Sequence, residues 1–322
     1  MSSFIIRRLL QTAVVIVLLS YFCFTLMTLM PGDPVDLMIS SNPNITSEDV
    51  ERLRELYGLD KPVYERYWNW LSTLASGDLG YSRTYRVPVE NLIGPRLWNT
   101  FILSGCALLL SLAVAVPLGI FAALKKGKSV DYLINFFAFA GISIPSFWLA
   151  IVLIIVFAVW MPFFPASGTN TVAVEMGLWQ SILDRAKYLV LPVLSLSFMS
   201  IGTFVRFTRS SMIEALSNDY IRTARAKGLS RWRVIIFHAF RNALLPLITV
   251  VALSFSTLFS GAVITETVFA YQGVGQLVLE SIQSNDFNVA MVSFMISVSM
   301  VLIMNLVADI LYGVADPRIT YS

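Results

Sequence analysis

The sequence is poor in side chains that carry catalysis. Its 322 residues include one histidine, His238, and two cysteines, Cys23 and Cys106. A zinc site of paired histidines, or of mixed histidine and cysteine, cannot be assembled from so few ligands. The cysteines sit far apart inside apolar runs, where a thiol reads as a small buried hydrophobe rather than half of a disulfide. No Gly-x-x-x-x-Gly-Lys-Ser/Thr loop is present to cradle a phosphate, and no Gly-x-Ser-x-Gly turn to raise a nucleophile. Glu266 and Asp309 lie near the ends of apolar runs. A carboxylate so placed either reaches the interface or a partner, or belongs to a pathway or gate. The chain therefore reads as no enzyme, with no cofactor of its own.

The most informative charged residues lie in Asp219–Arg241. Arg222, Arg225, Lys227, Arg231, Arg233 and Arg241 occur there with no acid after Asp219. The spacing predicts two short helices. The first, about Asp219–Lys227, stops at Gly228, a residue suited to the left-handed cap. The second follows Ser230, a natural N-cap, and carries Trp232, Ile235, Ile236 and Phe240 at helical spacing. Helices this short need a surface to pack on. Within Ala224-Arg225-Ala226-Lys227-Gly228, small residues permit close approach and basic ones supply charge-assisted hydrogen bonds. The pattern suits docking into a cleft on another subunit. The charge alone equally fits an ordinary cytoplasmic loop.

The elements that must hold these residues are membrane helices. Apolar residues make up 57% of the chain and charged residues only 13%, about half the fraction of a soluble domain. Six stretches free of Lys, Arg, Asp and Glu approach or exceed the roughly 20 residues of a crossing: 9–32, 97–124, 132–174, 188–205, 242–265 and 287–308. The fourth is marginal by length. The third holds too few apolar residues for two crossings and reads as one long helix kinked near Pro145. With the N-terminus in the cytoplasm, fourteen basic residues fall on cytoplasmic segments and two, Arg185 and Lys187, on the short outer loops. That bias supports six crossings with both termini cytoplasmic. The apolar stretch within 1–30 is longer than a signal core and lacks a small-x-small site, so it reads as a retained first helix.

The organisation that follows is 1–30 for the N-terminal region and first crossing, 31–98 for a small helical outer insertion, and 99–322 for a core of five crossings. The core includes a cytoplasmic loop over 213–246. In the insertion, Ser47–Tyr57 reads as a helix capped by Thr46 or Ser47 and ended by Gly58. A second helix follows Pro62, with Tyr64, Tyr67, Trp68, Leu71 and Leu74 at helical spacing, and ends at Gly77. The insertion either orders the first two crossings or offers a docking surface to an external partner. A further outer stretch, Thr265–Asn285, contains Glu266, Phe269, Gly273 and Gly275. The glycines suggest backbone angles closed to other residues, as in a re-entrant element. A chain with these features moves something uphill only with energy from a partner.

The run Tyr220-Ile-Arg-Thr-Ala-Arg-Ala-Lys-Gly-Leu229, continuing through His238-Ala-Phe-Arg-Asn-Ala-Leu-Leu-Pro246, closely resembles the cytoplasmic motif of ABC-importer permeases of the dipeptide/oligopeptide/nickel branch (B-type subunit). Phe4-Ile-Ile-Arg-Arg-Leu9, Pro31-Gly-Asp-Pro-Val35, Gly77-Asp-Leu-Gly80, Ile144-Pro-Ser-Phe-Trp148, Thr208-Arg-Ser-Ser-Met-Ile-Glu214, Thr265-Glu-Thr-Val-Phe269 and Asp309-Ile-Leu-Tyr312 with Asp316-Pro-Arg318 agree. The resemblance spans essentially the whole chain. Arg222-Thr223-Ala224 stands where the general motif has Glu-Ala-Ala, and Gln272-Gly273 where the branch usually has Pro-Gly.

The resemblance implies an all-α membrane protein of the type I ABC importer permease fold in a bacterial or archaeal cytoplasmic membrane. It implies that Tyr220, Arg222, Thr223, Ala224, Arg225, Ala226, Lys227, Gly228 and Leu229 form an ATPase-coupling loop. Glu266, Phe269, Gly273 and Gly275 are pathway or gate candidates. Implied partners are a second homologous permease subunit, two cytoplasmic ATPase subunits binding ATP and Mg, an extracytoplasmic substrate-binding protein and membrane lipid, with no nucleic acid. The substrate implied is a peptide, with nickel, glutathione, opine or oligosaccharide as alternatives. A secondary carrier driven by an ion gradient is the competing class; it is disfavoured because no apolar run carries an acid–base pair at its centre.

Overall fold

A computed structural model describes residues 2–29, 46–56, 58–172 and 174–315. The motifs at 31–35 and 316–318, Tyr57 and Arg318 lie outside the described residues. Twelve helices are described: α1 Ser2–Thr28, α2 Ser47–Leu56, α3 Val63–Ala75, α4 Val89–Leu124, α5 Ser129–Ser143, α6 Ser146–Ile154, α7 Leu178–Ser217, α8 Asp219–Ala226, α9 Arg231–Arg233, α10 Arg241–Val268, α11 Val274–Gln283 and α12 Phe287–Ala315. Two wider π-helical turns, Ile155–Trp160 and Val234–Phe240, continue α6 and join α9 to α10. Among the described residues the one β-type pairing is an isolated antiparallel bridge between Tyr81 and Pro88.

Four helices are long and apolar enough to cross a membrane singly: Ile6–Thr28, Val89–Leu124, Leu178–Ser217 and Phe287–Ile310. Two bent pairs raise the number to six. The second crossing begins at Val89. The fourth, marginal as an uncharged run, belongs to the longest helix. At 40 residues α7 is about 60 Å long, twice the hydrocarbon thickness. It carries Arg206 and Arg209 on its own axis, which is why a search for uncharged runs truncated it.

The third crossing departs from the expected kinked helix. The chain leaves α5 at Ser143, is extended at Ile144 and Pro145, and re-enters helix at Ser146 with a 98° bend. Pro145 has no N–H to donate and forces the residue before it out of the helical region. The segment is two half-length helices.

The outer insertion packs on α1. Thr46 and Asp49 cap α2 reciprocally: Asp49 N donates to Thr46 Oγ1 at 3.3 Å, and Thr46 N to Asp49 Oδ2 at 3.1 Å. The Asp49 carboxyl is held below its usual range by the Thr46 hydroxyl. On α3, Tyr67 is 2% exposed. Its ring stands edge-on to Tyr21 and Phe24 of α1, and its hydroxyl lies 2.7 Å from Ser20 Oγ. Such aromatic pairs add about 0.5–1.5 kcal/mol beyond area burial. Phe24 also meets Phe287 of α12 edge-on at 5.4 Å. This corner ties the first and last crossings to the insertion.

The core helices approach closely through small residues. A Cβ on Gly119 of α4 would lie 2.6 Å from Thr208 of α7, and one on Gly141 of α5 would lie 2.9 Å from the Phe198 carbonyl of α7. Gly202 of α7 abuts the Ala138 carbonyl of α5. Between apolar helices in lipid, close packing of this kind replaces the hydrophobic drive available in water.

Candidate coupling helix and outer corner

The basic loop forms α8 and a Schellman stop. Gly228 adopts φ 74°, its N–H donates to the Arg225 carbonyl at 3.0 Å, and Leu229 N donates to the Ala224 carbonyl at 3.4 Å. A Cβ on Gly228 would touch nothing within 4 Å, so the position needs glycine for its backbone angle and not for space. Ile221 and Ala224 are buried in a cluster with Ala123, Met212, Ala215, Val234, Ile235, Ala239 and Ala243. Tyr220, Arg222, Thr223, Arg225, Ala226, Lys227 and Gly228 face outward, and Leu229 is half-buried. The helix is thus seated on the chain's own core and displays a basic outer face.

Two expectations about this loop change. Ala224 faces inward against the chain's own core, so of the small residues only Ala226 and Gly228 are open to a partner. The second short helix does not stand alone. α9 runs through the π-helical turn into α10, burying Val234, Ile235 and Ala239, while Trp232 and Ile236 are exposed. Ser230 precedes it without a side-chain capping bond.

At the other end of α10, 28 residues or about 42 Å away, the four outer candidates converge. Glu266 is fully buried. Thr100 of α4 donates its hydroxyl to Glu266 Oε1 at 2.6 Å, and Gln276 N donates to Oε2 at 3.0 Å. Val274 N in turn donates to Thr100 Oγ1 at 2.9 Å. Val274 and Gln276 are in the first turn of α11, whose N–H groups have no intrahelical acceptors. Gly273, at the cap position, offers no side chain, so Glu266 and Thr100 cap α11 from two other helices. A carboxylate is favoured at this end of a helix by the backbone dipoles.

The glycines here serve closeness, not unusual angles. Gly273 has φ −103° and ψ −179°, which any residue can adopt, but its missing Cβ is where the Glu266 carboxylate lies. A Cβ on Gly275 would lie 2.6 Å from Val263 Cα. Phe269 is 1% exposed among Leu103, Ala107, Leu191 and Tyr271, and its carbonyl accepts from Gly168 N at 2.9 Å. Asn99 Nδ2 donates to the Gln272 carbonyl at 2.7 Å. All four candidates are buried within the chain.

Three functional-looking contacts escaped the sequence reading. Thr100 lay unnoticed inside an apolar run. Asp286 is 2% exposed and accepts from Ser82 Oγ at 2.6 Å and Thr84 N at 2.9 Å, contacts more than 200 residues apart in sequence. Asp131 of α5, just before an uncharged run, is forked by Arg209 of α7 at 2.6 and 2.8 Å. An acid in the first turn of a helix was the available signal for Asp131; its partner was not legible.

Comparison with known proteins agrees with this architecture. The chain matches the family model described as binding-protein-dependent transport system inner membrane component over residues 115–321, and the corresponding N-terminal model over 1–98. It is 39% identical over 322 residues to the oligopeptide transport system permease protein AppB of Bacillus subtilis, covering all of both chains. It is 36% identical over 339 aligned positions to the dipeptide transport system permease protein DppB of Escherichia coli K12, again over both full lengths. Among solved structures, an inward-facing MetNI methionine ABC transporter superposes with a TM-score of 0.56 at 15% identity, covering 70% of this chain and 96% of the other. That likeness bears on fold alone, and the fold is the type I importer permease fold with a helical insertion. With two family models spanning most of its length, the chain belongs to the family of binding-protein-dependent transport system inner membrane components.

Proposed function

We propose that this chain is half of the translocation pathway of an ATP-driven peptide importer. A second homologous permease subunit supplies the other half. Two cytoplasmic ATPase subunits, which bind ATP and Mg, engage α8, and an extracytoplasmic binding protein delivers substrate to the outer face. Both termini and α8 lie on the cytoplasmic side of the membrane. Peptide as substrate is supported by the full-length relatives, an oligopeptide and a dipeptide transport system permease protein. The coupling role rests on one observation above all: α8 buries Ile221 and Ala224 in its own subunit and, among the described residues, leaves a short, glycine-stopped, basic face uncovered.

On this reading Tyr220, Arg222, Thr223, Arg225, Ala226 and Lys227 meet the ATPase, Gly228 and Leu229 end the helix, and Ala224 seats it. Glu266, Phe269, Gly273 and Gly275 form the outer gate, closed in this conformation. The deciding experiment reconstitutes the purified assembly in liposomes with radiolabelled dialanine outside and ATP inside, the binding protein being added outside. Uptake should require ATP, the binding protein and both ATPases. Uptake by this chain alone, driven by a proton or sodium gradient, would instead establish a secondary carrier.

A further inference from the structure

Arg8 sets a depth scale for the first crossing. It meets Asp309 at 3.1 Å, near the first residues of α1 and the last of α12. At 1.5 Å per residue, Ser20 stands about 18 Å along α1 from Arg8, and Phe24 about 24 Å, in a hydrocarbon layer about 30 Å thick. Both levels lie past the midplane and short of the far surface. The insertion helix α3 reaches this depth. The Tyr67 hydroxyl lies 2.7 Å from Ser20 Oγ and donates to the Val17 carbonyl at 3.2 Å. Its ring meets those of Tyr21 at 5.1 Å and Phe24 at 5.7 Å. Phe24 and Tyr67 are buried together with Met291 of α12. So α3 packs on the part of α1 that lies in the membrane.

At 3.6 residues per turn, α3 divides into three strips. Val63, Tyr67 and Trp70 turn to α1 and α12. Glu65, Arg66, Asn69 and Thr73 form a polar strip. Glu65 pairs with Lys61 at 3.2 Å. Arg66, Asn69 and Thr73 line a cavity of about 810 Å³, which Glu55 and Asp286 also border. Tyr64 and Trp68 belong to neither strip. They stand one turn apart, each 59% exposed, and among the described residues they touch neither the cavity nor the buried cluster. The Trp68 ring meets the Tyr67 ring at 5.6 Å. Tyr67 in turn meets Tyr21, which is exposed on α1 beside Leu18 and Phe22. The Tyr64–Trp68 strip therefore continues the apolar surface that the first crossing turns outward.

We propose that α3 is an interfacial helix whose Tyr64 and Trp68 rings are seated in lipid, at the boundary between headgroups and acyl chains of the leaflet on the insertion's side. The side chains suit that partner. Each has an apolar body and a single polar tip, and such rings gather where one end is dry and the other wet. A helix with distinct polar and apolar sides lies in this plane with its apolar side towards the acyl chains. The polar strip and its cavity then face the water. Because Tyr21 lies on a crossing helix, a surface continuous with it is met by acyl chains before any soluble partner. The proposal requires that α1 crosses the bilayer; it is independent of what the chain carries and of ATP coupling.

The test uses the full assembly in phosphatidylcholine nanodiscs, with Cys23 and Cys106 replaced by alanine. One nitroxide at a time is attached at Tyr64→Cys, Trp68→Cys, Asn69→Cys or Thr73→Cys. Power-saturation EPR reads collisions with oxygen, which concentrates in hydrocarbon, and with a water-soluble nickel chelate. Labels at 64 and 68 should gain oxygen collisions and lose nickel collisions, and labels at 69 and 73 should do the reverse. Nickel exceeding oxygen at 64 and 68 would place the strip in water and overturn the proposal. Loss of both kinds of collision there would mean that a protein, the second permease subunit or the binding protein, covers the strip, and would overturn it equally. A second measurement keeps Trp68 in place. In a chain whose other tryptophans are phenylalanine, its fluorescence should fall when the nanodisc lipid carries brominated acyl chains; unchanged fluorescence would also sink the proposal.

Discussion

The Glu266 carboxylate occupies the volume that a side chain on residue 273 would need. A Cβ on Gly273 would meet both carboxylate oxygens within van der Waals distance, and one on Gly275 would lie 2.9 Å from Oε2. The two glycines are therefore conditions for the carboxylate to reach Thr100 and the first turn of α11. Gly273→Ala should displace Glu266 and destabilise the outer corner by about 1–3 kcal/mol, as overpacking does. Glu266→Ala leaves Thr100 and Gln276 N without an acceptor, at a cost of about 1–3 kcal/mol for each buried group. Thermal unfolding in detergent should show a lowered midpoint for both. An unchanged midpoint in Glu266→Ala would mean that the tertiary cap contributes nothing.

Ala224 and Ala226 stand two residues apart on opposite sides of α8. Ala224→Glu places a carboxylate in the cluster formed by Met212, Val234 and Ala239, and should reduce the amount of folded chain recovered from membranes. Ala226→Glu should leave recovery and thermal midpoint intact and abolish ATP-dependent uptake. Equal recovery of the two variants would contradict the orientation of the helix.

Gly228 holds a left-handed angle with open space around it. Gly228→Ala should cost about 1–2 kcal/mol locally, fraying the last turn of α8. Gly228→Asn, which tolerates that angle better, should recover part of the loss. Hydrogen exchange at Leu229, whose amide closes the Schellman motif, reads the effect directly; no rise in exchange in the alanine variant would rule out this role for glycine.

Tyr85 lies outside the membrane helices and donates its hydroxyl to Glu280 Oε2 at 2.8 Å. Burial, and then that hydrogen bond, push its phenol up to about 12 from an ordinary 10. A raised folded value means that the contribution to stability is complete below pH 10 and is lost as pH rises towards 12. Absorbance titration near 295 nm should show a late phenolate step that disappears in Tyr85→Phe.

The six crossings, the two outer helices and the position of α8 were legible because each is written locally. Uncharged runs mark crossings, Thr46 and Asp49 mark a cap, and Gly228 marks a stop. The half-helix break was signalled by Pro145, but its 98° angle depends on where α6 finds α7 to pack against. The inward orientation of Ala224 depends on Met212 and Ala239, which only the fold brings near. Glu266 was singled out as an acid near an apolar end; its meaning came from Thr100, 166 residues away. The basic charge of the loop, its most visible trait in sequence, does not distinguish docking from topology. The division of α8 into a seated face and an open face is the observation on which the proposed docking rests.

The π-helical turn at Val234–Phe240 gives the loop one further property. A wider turn accommodates an extra residue without lengthening the helix by a full step, and one residue corresponds to about 100° of rotation. The angle at which α8 is presented relative to α10 is thus stored in the number of residues between them, more than in their identity. Substitutions in this stretch that keep Val234, Ile235 and Ala239 apolar leave that angle alone. Deleting a single residue would return the turn to α geometry and aim the basic face at a different side of the molecule.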